Sequence, residues 1–247
     1  MGYVIKEPIS KLFGDALVLP EIPTLIVGDL HAPYQNKKLL MDAFTIAKQR
    51  NVRQLIHAGD LIDGASYSIQ NKHEISPPIE VEIEHARSIL YTAKQHFDTI
   101  VILPGNHDAL YFKKEKITFS VFIHNIILDF KYTKNFKVTE YDYVYYGDFA
   151  VIGHLTNGYD MIPGKVAANI AMKYNRHALV AHDHIMGSII AENGKTGISI
   201  GAMFVPGSMA YKAKSYNTFP DTQLGFVIIK DRKIHHFDES LNERIYE

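Results

Sequence analysis

The chain of 247 residues is 47% hydrophobic against 21% charged, enough to bury a large core in one domain or a compact pair. Its formal net charge of -1 excludes a global attraction to nucleic acid or anionic membrane, so a polyanion site must come from local clustering. Cysteine is absent, which excludes thiolate metal sites, disulfides and cysteine nucleophiles and leaves oxygen and the thirteen histidines as ligands.

The N-terminal stretch "MGYVIKEPISKLFGDALVLPEIP" lacks the basic start and long apolar core of a signal peptide, and no segment approaches the length of a membrane span. A cytoplasmic protein is the expectation. Gly2 suits a myristoylation start, but Lys6 stands where serine or threonine is needed. From Thr24, strand-length apolar runs alternate with helix-like stretches. "TLIVGD" reads as a strand, "KKLLMDAFTIAKQR" as an amphipathic helix, and "QLIHAGD" as a second strand. "PPIEVEIEHARSILYTAKQHF" reads as a long helix with proline in its first turn, leading to the strand "TIVILPGNHD". This βαβαβ opening predicts a parallel sheet with functional residues at the carboxyl ends of its strands.

In the second half, "YDYVYYGDFAVIGH" predicts two short strands around the turn Gly147-Asp148, and "GKVAANIAMKYN" a helix. After the strand "HALVAHDH", the runs "GSIIAEN", "TGISIGAMF", "GFVIIK" and "KIHHF" read as a meander joined by Gly, Asn and Asp turns. No repeat or linker interrupts the chain. One α/β domain over residues 1–247 is expected, with two sheets packed together and helices outside.

Five apolar runs end in side chains able to bind metal or move protons. They supply Asp29 and His31; Asp60 and Asp63; Asn106, His107 and Asp108; His154; and His182 and His184. Each has an ordinary explanation when taken alone, as a helix cap, a turn residue or a satisfied buried histidine. Five such explanations at equivalent places are a poor account of the set. Carboxylate, imidazole and amide ligands without thiolate suit divalent ions such as Mn, Fe or Zn. Two such ions need a bridging carboxylate, lower the pKa of a shared water and clamp the oxygens of an in-line displacement. Gly28, Gly59 and Gly105 are expected to let the backbone approach the ions.

In order, D-x-H, G-D-x-x-D, G-N-H-D, G-H and H-x-H resemble the motifs of the calcineurin-like metallophosphoesterases, from Val27 to His184. The resemblance implies a four-layer α/β/β/α sandwich of two mixed sheets flanked by helices. It implies two divalent ions, Mn foremost with Fe, Zn, Ni or Mg as alternatives. Asp29, His31 and His184 would bind one ion, Asn106, His154 and His182 the other, and Asp60 would bridge them. His107 would protonate the leaving oxygen, oriented by Asp108. Two departures stand out. Ala181 and Asp183 replace the glycine and threonine of the common G-H-T-H, placing an extra carboxylate beside the ligands. Gly64 follows Asp63 where the Ser/Thr protein phosphatases carry a phosphate-gripping arginine, which argues against that subgroup.

The implied substrate is a phosphate mono- or diester, with a nucleotide or other small diester favoured and a DNA or RNA nuclease as the alternative. A noncatalytic scaffold, as in the retromer subunit of this fold, is expected to have lost the catalytic histidine or several ligands, and this chain retains them all. The basic run with Lys113, Lys114 and Lys116 reads either as a substrate track or as a solvated helix face. Tyr211 and Lys212, in "AYKAKSYNTF", offer the interleaved aromatics and cations that suit bases and phosphates. His57, on a strand expected to be buried, reads as structural or as support for a ligand. His73, His85, His96, His124, His177, His235 and His236 read as surface or packing residues. The oligomeric state has no signature.

Overall fold

The computed structural model describes residues 16–68, 76–154, 160–209 and 221–246. Strand β1 (Val18–Leu19) precedes β2 (Thr24–Val27), helix α1 (Lys37–Gln49), β3 (Gln54–Ala58), α2 (Ile79–His96) and β4 (Thr99–Leu103). There follow α3 (Asp108–Lys114), α4 (Phe119–Val121), which widens into a π-helical stretch Phe122–Ile127, and β5 (Phe136–Val138). The remainder comprises β6 (Tyr143–Tyr146), β7 (Phe149–Ile152), α5 (Lys165–Tyr174), β8 (His177–Val180), β9 (Met186–Ile190), β10 (Thr196–Ile200), β11 (Gly225–Lys230), β12 (Lys233–Asp238) and β13 (Glu243–Tyr246).

Two mixed sheets result, ordered β13-β12-β11-β2-β3-β4-β5 and β1-β6-β7-β8-β10-β9. Strands β2 to β5 run parallel, as do β7, β8 and β10. Because successive strand residues face opposite sides, an apolar run buried on both faces serves two cores at once. Leu25 and Val27 join the core under the helices, with Phe44 of α1 and Leu90 of α2. Ile26 between them joins the inter-sheet core, with Ile56, Val101, Leu179 and Ile198. On the outer face of the second sheet, Ile152 and Val180 pack against Val166 and Ile170 of α5. The expected layering of helices, sheet, sheet and helix is therefore present.

Asn36 caps α1 by accepting the Leu39 N–H at 3.1 Å, and Leu39, Leu40, Ala43, Phe44 and Ala47 form its buried stripe. Helix α2 begins after both prolines rather than including them. Pro77 precedes another proline, which biases it away from the helical region. The expected meander is split: β9 and β10 are a hairpin of the second sheet, whereas β11 to β13 complete the first by pairing antiparallel to β2. Among the described residues, no helix is long and apolar enough to cross a membrane.

Candidate metal centre

The carboxyl ends of β2, β3, β4, β7 and β8 converge, and the turns that follow them carry the candidate ligands. Five of these residues hold left-handed backbone: Asp29 (φ 52°), His31 (φ 44°), Asp60 (φ 54°), His182 (φ 84°) and His184 (φ 56°). That region is uncommon for residues other than glycine, and clustering of such strain at one place marks a functional site. Main-chain bonds over-determine it. Asp29 N–H donates to the Gly59 carbonyl at 3.1 Å, and the N–H groups of Leu30 and His31 donate to the Asp60 carbonyl at 3.0 Å each.

Asp29, His31, Asp60 and His184 form one group of potential ligands, and Asp60, His154 and His182 another, the atoms of each lying within 4.8 Å of one another. Asp60 belongs to both. Asp29 Oδ1 lies 2.9 Å from His184 Nε2, 3.1 Å from His154 Nε2 and 3.9 Å from His31 Nε2. Asp60 Oδ2 lies 2.7 Å from His154 Nε2 and 3.5 Å from His31 Nε2. The other oxygens tie neighbouring turns together: Asp29 Oδ2 accepts the His182 N–H at 3.0 Å, and Asp60 Oδ1 the His107 N–H at 2.8 Å. Asn106 stands exposed between Gly105 and His107 on that same turn.

Two observations fit this donor set to cations. Buried His31 Nε2 makes no hydrogen bond although Asp60 Oδ2 lies 3.5 Å away, the arrangement expected of atoms aimed at a common point. The electrostatics agree. Burial would raise the Asp29 carboxyl, yet His184 and His154 hold it well below the usual range. Burial would lower His154, yet Asp60 and Asp29 raise it well above the usual imidazole value. The pocket therefore favours positive charge, and divalent ions would supply that charge while leaving the imidazoles neutral.

The glycine turns make room for side chains. A Cβ at Gly105 would meet Asp60 Oδ1 at 2.0 Å, and one at Gly59 would meet His154 Nδ1 at 2.3 Å, so both make room for ligand side chains. A Cβ at Gly28 would meet Ala181 Cβ at 2.9 Å, a contact between sheets. Asp108 needs correction. Its carboxylate accepts N–H bonds from Leu61, Ile62 and Gly105 at 2.9–3.3 Å, clipping two turns together rather than aiming His107. Asp63 takes the aiming role: its carbonyl accepts His107 Nδ1–H at 2.6 Å, and its carboxylate accepts His31 Nδ1–H at 3.1 Å. The carboxylate of Asp183 turns away from the ligands, accepting from the Ser199 hydroxyl and from Ile185 N–H at 3.4 Å.

The sequence patterns carried no sign of Glu82, which is buried on α2 and accepts the Gly64 N–H at 2.6 Å, beneath the turn bearing Asp63. His57 is buried behind the cluster, and burial lowers it to about 4. Lys113 and Lys114 are exposed at the end of α3, and Lys116 is exposed just beyond it. Tyr211, Lys212 and His73 lie outside the described residues.

The family model of the calcineurin-like phosphoesterases matches residues 22–198. Among solved structures, Vps29 of Chaetomium thermophilum is 10% identical with a TM-score of 0.51, covering 91% of this chain and 96% of its own. YfcE, a phosphoesterase from E. coli, is 8% identical with a TM-score of 0.50, covering 91% and 98%. A novel archaeal phosphodiesterase is 15% identical with a TM-score of 0.46, covering 91% and 99%. At these identities the likeness is one of fold. No curated protein matches the sequence.

Proposed function

The chain belongs to the calcineurin-like phosphoesterases, and from that membership we propose that it hydrolyses phosphate mono- or diesters at a pair of divalent cations, with nucleotides or other small esters as substrates. The observation that carries this reading is the sharing of Asp60 between two ligand groups. In the proposal Asp29, His31 and His184 would hold one ion, His154, His182 and Asn106 would hold the other, and Asp60 would serve both. Manganese is the foremost candidate, with Fe, Zn, Ni and Mg as alternatives that oxygen and imidazole donors also suit.

When bound, the ions supply a nucleophile from water at neutral pH and neutralise charge on the phosphoryl oxygens. The chain's own groups do the rest. The Asp63 carboxylate holds the Nδ1–H of His31, so that ring presents Nε2 to the centre. The Asp63 carbonyl fixes Nδ1–H of His107, so the imidazolium gives up its Nε2 proton to the leaving oxygen and returns to the neutral Nδ1–H ring. Retention of the whole set speaks against a noncatalytic scaffold. The nuclease alternative rests on the lysines of α3, and Lys114 Nζ sits 4.3 Å over the ring of Tyr67, a local contact that favours the small-substrate reading.

Metal-free protein reloaded separately with Mn, Ni, Zn or Mg, then assayed on aryl monoester, aryl diester, cyclic nucleotides and single- and double-stranded DNA, tests the proposal. Metal-dependent cleavage of a small ester is the expected result. Activity on DNA alone would transfer the assignment to the nuclease, and inactivity with every metal and ester would overturn it.

A further inference from the structure

Two tyrosines stand one turn beyond the catalytic loop, and nothing in the hydrolytic reading uses them. Tyr111 follows His107 by four residues along α3, which puts both on one face of the helix about 6 Å apart along its axis. Tyr67 follows Asp63 by four residues, on the single 3-10 turn Ala65–Tyr67. Gly64 brings the two elements together: in left-handed backbone (φ 63°), it lies so near α3 that a Cβ there would meet the His107 carbonyl at 2.6 Å. The rings of Tyr67 and Tyr111 consequently meet edge to face with centroids 5.1 Å apart, and Tyr111 is backed by Phe122 at 5.1 Å. Both tyrosines are half-buried, so the pair is fixed by packing yet reachable.

We propose that Tyr67 and Tyr111 form the subsite for the leaving group, and that the group they take is a nucleobase. This rests on the reading of His107 as the residue that protonates the leaving oxygen. On that reading the leaving group departs on the His107 side, and the tyrosine pair lies one helical turn from His107. A nucleoside has its base one sugar away from the ester oxygen, a span matching the single helical turn between His107 and Tyr111. Every base has a face that stacks on an aromatic ring, whereas a short alkyl leaving group would gain nothing from tyrosines at that distance. Lys114, over the Tyr67 ring, keeps one aromatic face covered by a cation. An exposed cation–π contact is weaker than base stacking, so the ammonium yields to an arriving base.

The test compares esters that differ only in the base: adenosine 5′-phosphate against ribose 5-phosphate, and their methyl diesters, on Mn-loaded protein. Binding is measured by calorimetry alongside kcat and KM. Wild type is expected to bind and turn over the adenosine compounds with the lower Kd and KM. Tyr67→Ala and Tyr111→Ala should shrink that adenosine-over-ribose ratio by about 5- to 150-fold, the range of one stacked base, through KM rather than kcat. Tyr67→Phe, which keeps the ring, should retain the ratio. Equal affinity of wild type for adenosine and ribose compounds, or a ratio indifferent to both alanine variants, would overturn the subsite. Base-dependent binding without turnover of any ester would instead uphold the subsite and overturn the hydrolytic reading.

Discussion

The main-chain carbonyl of Asp63 accepts the Nδ1–H of His107 at 2.6 Å, while the side chain of the same residue accepts from His31 at 3.1 Å. One aspartate thus aims both the proposed proton donor and a proposed ligand. His107 is held by a backbone atom, so side-chain substitutions at Asp63 should leave its tautomer in place.

From this follows the first prediction, on His107 itself. A general acid contributes about 10²–10⁴-fold and matters most for a poor leaving group. His107→Asn should therefore lose far more activity on an alkyl or nucleotide ester than on a nitrophenyl ester, with metal content retained. Equal losses on the two leaving groups would remove the protonation role.

Asp63→Asn is expected to act through His31 instead. Removing a carboxylate that orients a metal-bound imidazole typically costs about 10–100-fold in metal affinity. Titration of metal-free protein with Mn should show that loss, and the leaving-group dependence should stay as in wild type. Unchanged affinity would mean that the 3.1 Å contact does not govern how His31 presents its Nε2.

Glu82 makes a prediction about stability and pH. Burial pushes its carboxyl from 4.5 up to about 8, with the Gly64 N–H opposing and Asp63 adding to the rise. The folded protein thus keeps a proton that the unfolded chain releases, so stability from this group is full below 4.5 and is lost as pH rises through about 8. Glu82→Gln keeps an acceptor for Gly64 and abolishes the titration. In urea unfolding the variant should gain on wild type between about pH 5 and about pH 9, by an amount on the order of a few kcal/mol. A difference independent of pH would show that Glu82 stays ionised in the fold.

The lysines at the end of α3 and just beyond it separate the nuclease from the small-ester enzyme. If Lys113, Lys114 and Lys116 contacted a polyanion, each phosphate contact would add roughly 0.7–0.9 to the salt slope of binding. The small-ester account expects the triple Lys→Gln variant to match wild type on DNA across a salt titration. A flattened slope with weakened DNA binding would restore the track.

Much of the centre was legible because a parallel sheet collects its functional residues at the carboxyl ends of its strands, and Asp29, Asp60, His154 and His182 stand directly beyond such runs. What escaped were relations made through the backbone. The clip by Asp108 and the aiming of His107 by Asp63 depend on which N–H or carbonyl faces a side chain, and no residue pattern records that. Left-handed backbone at Asp29, His31 and Asp60 was equally silent, since its usual marker is glycine. The split of the last strands between two sheets was hidden for a related reason. Runs such as "GFVIIK" are buried on both faces, so their pattern says strand but not which sheet.

The central claim is that two cations share Asp60, and metal stoichiometry in Asp60→Asn tests it most directly. Wild type, purified metal-free and reloaded with Mn, should hold two equivalents by elemental analysis. Asp60→Asn removes the formal negative charge between the ions and should lower the occupancy of both, with activity falling alongside. Two tightly held ions in that variant, with turnover unchanged, would contradict the account.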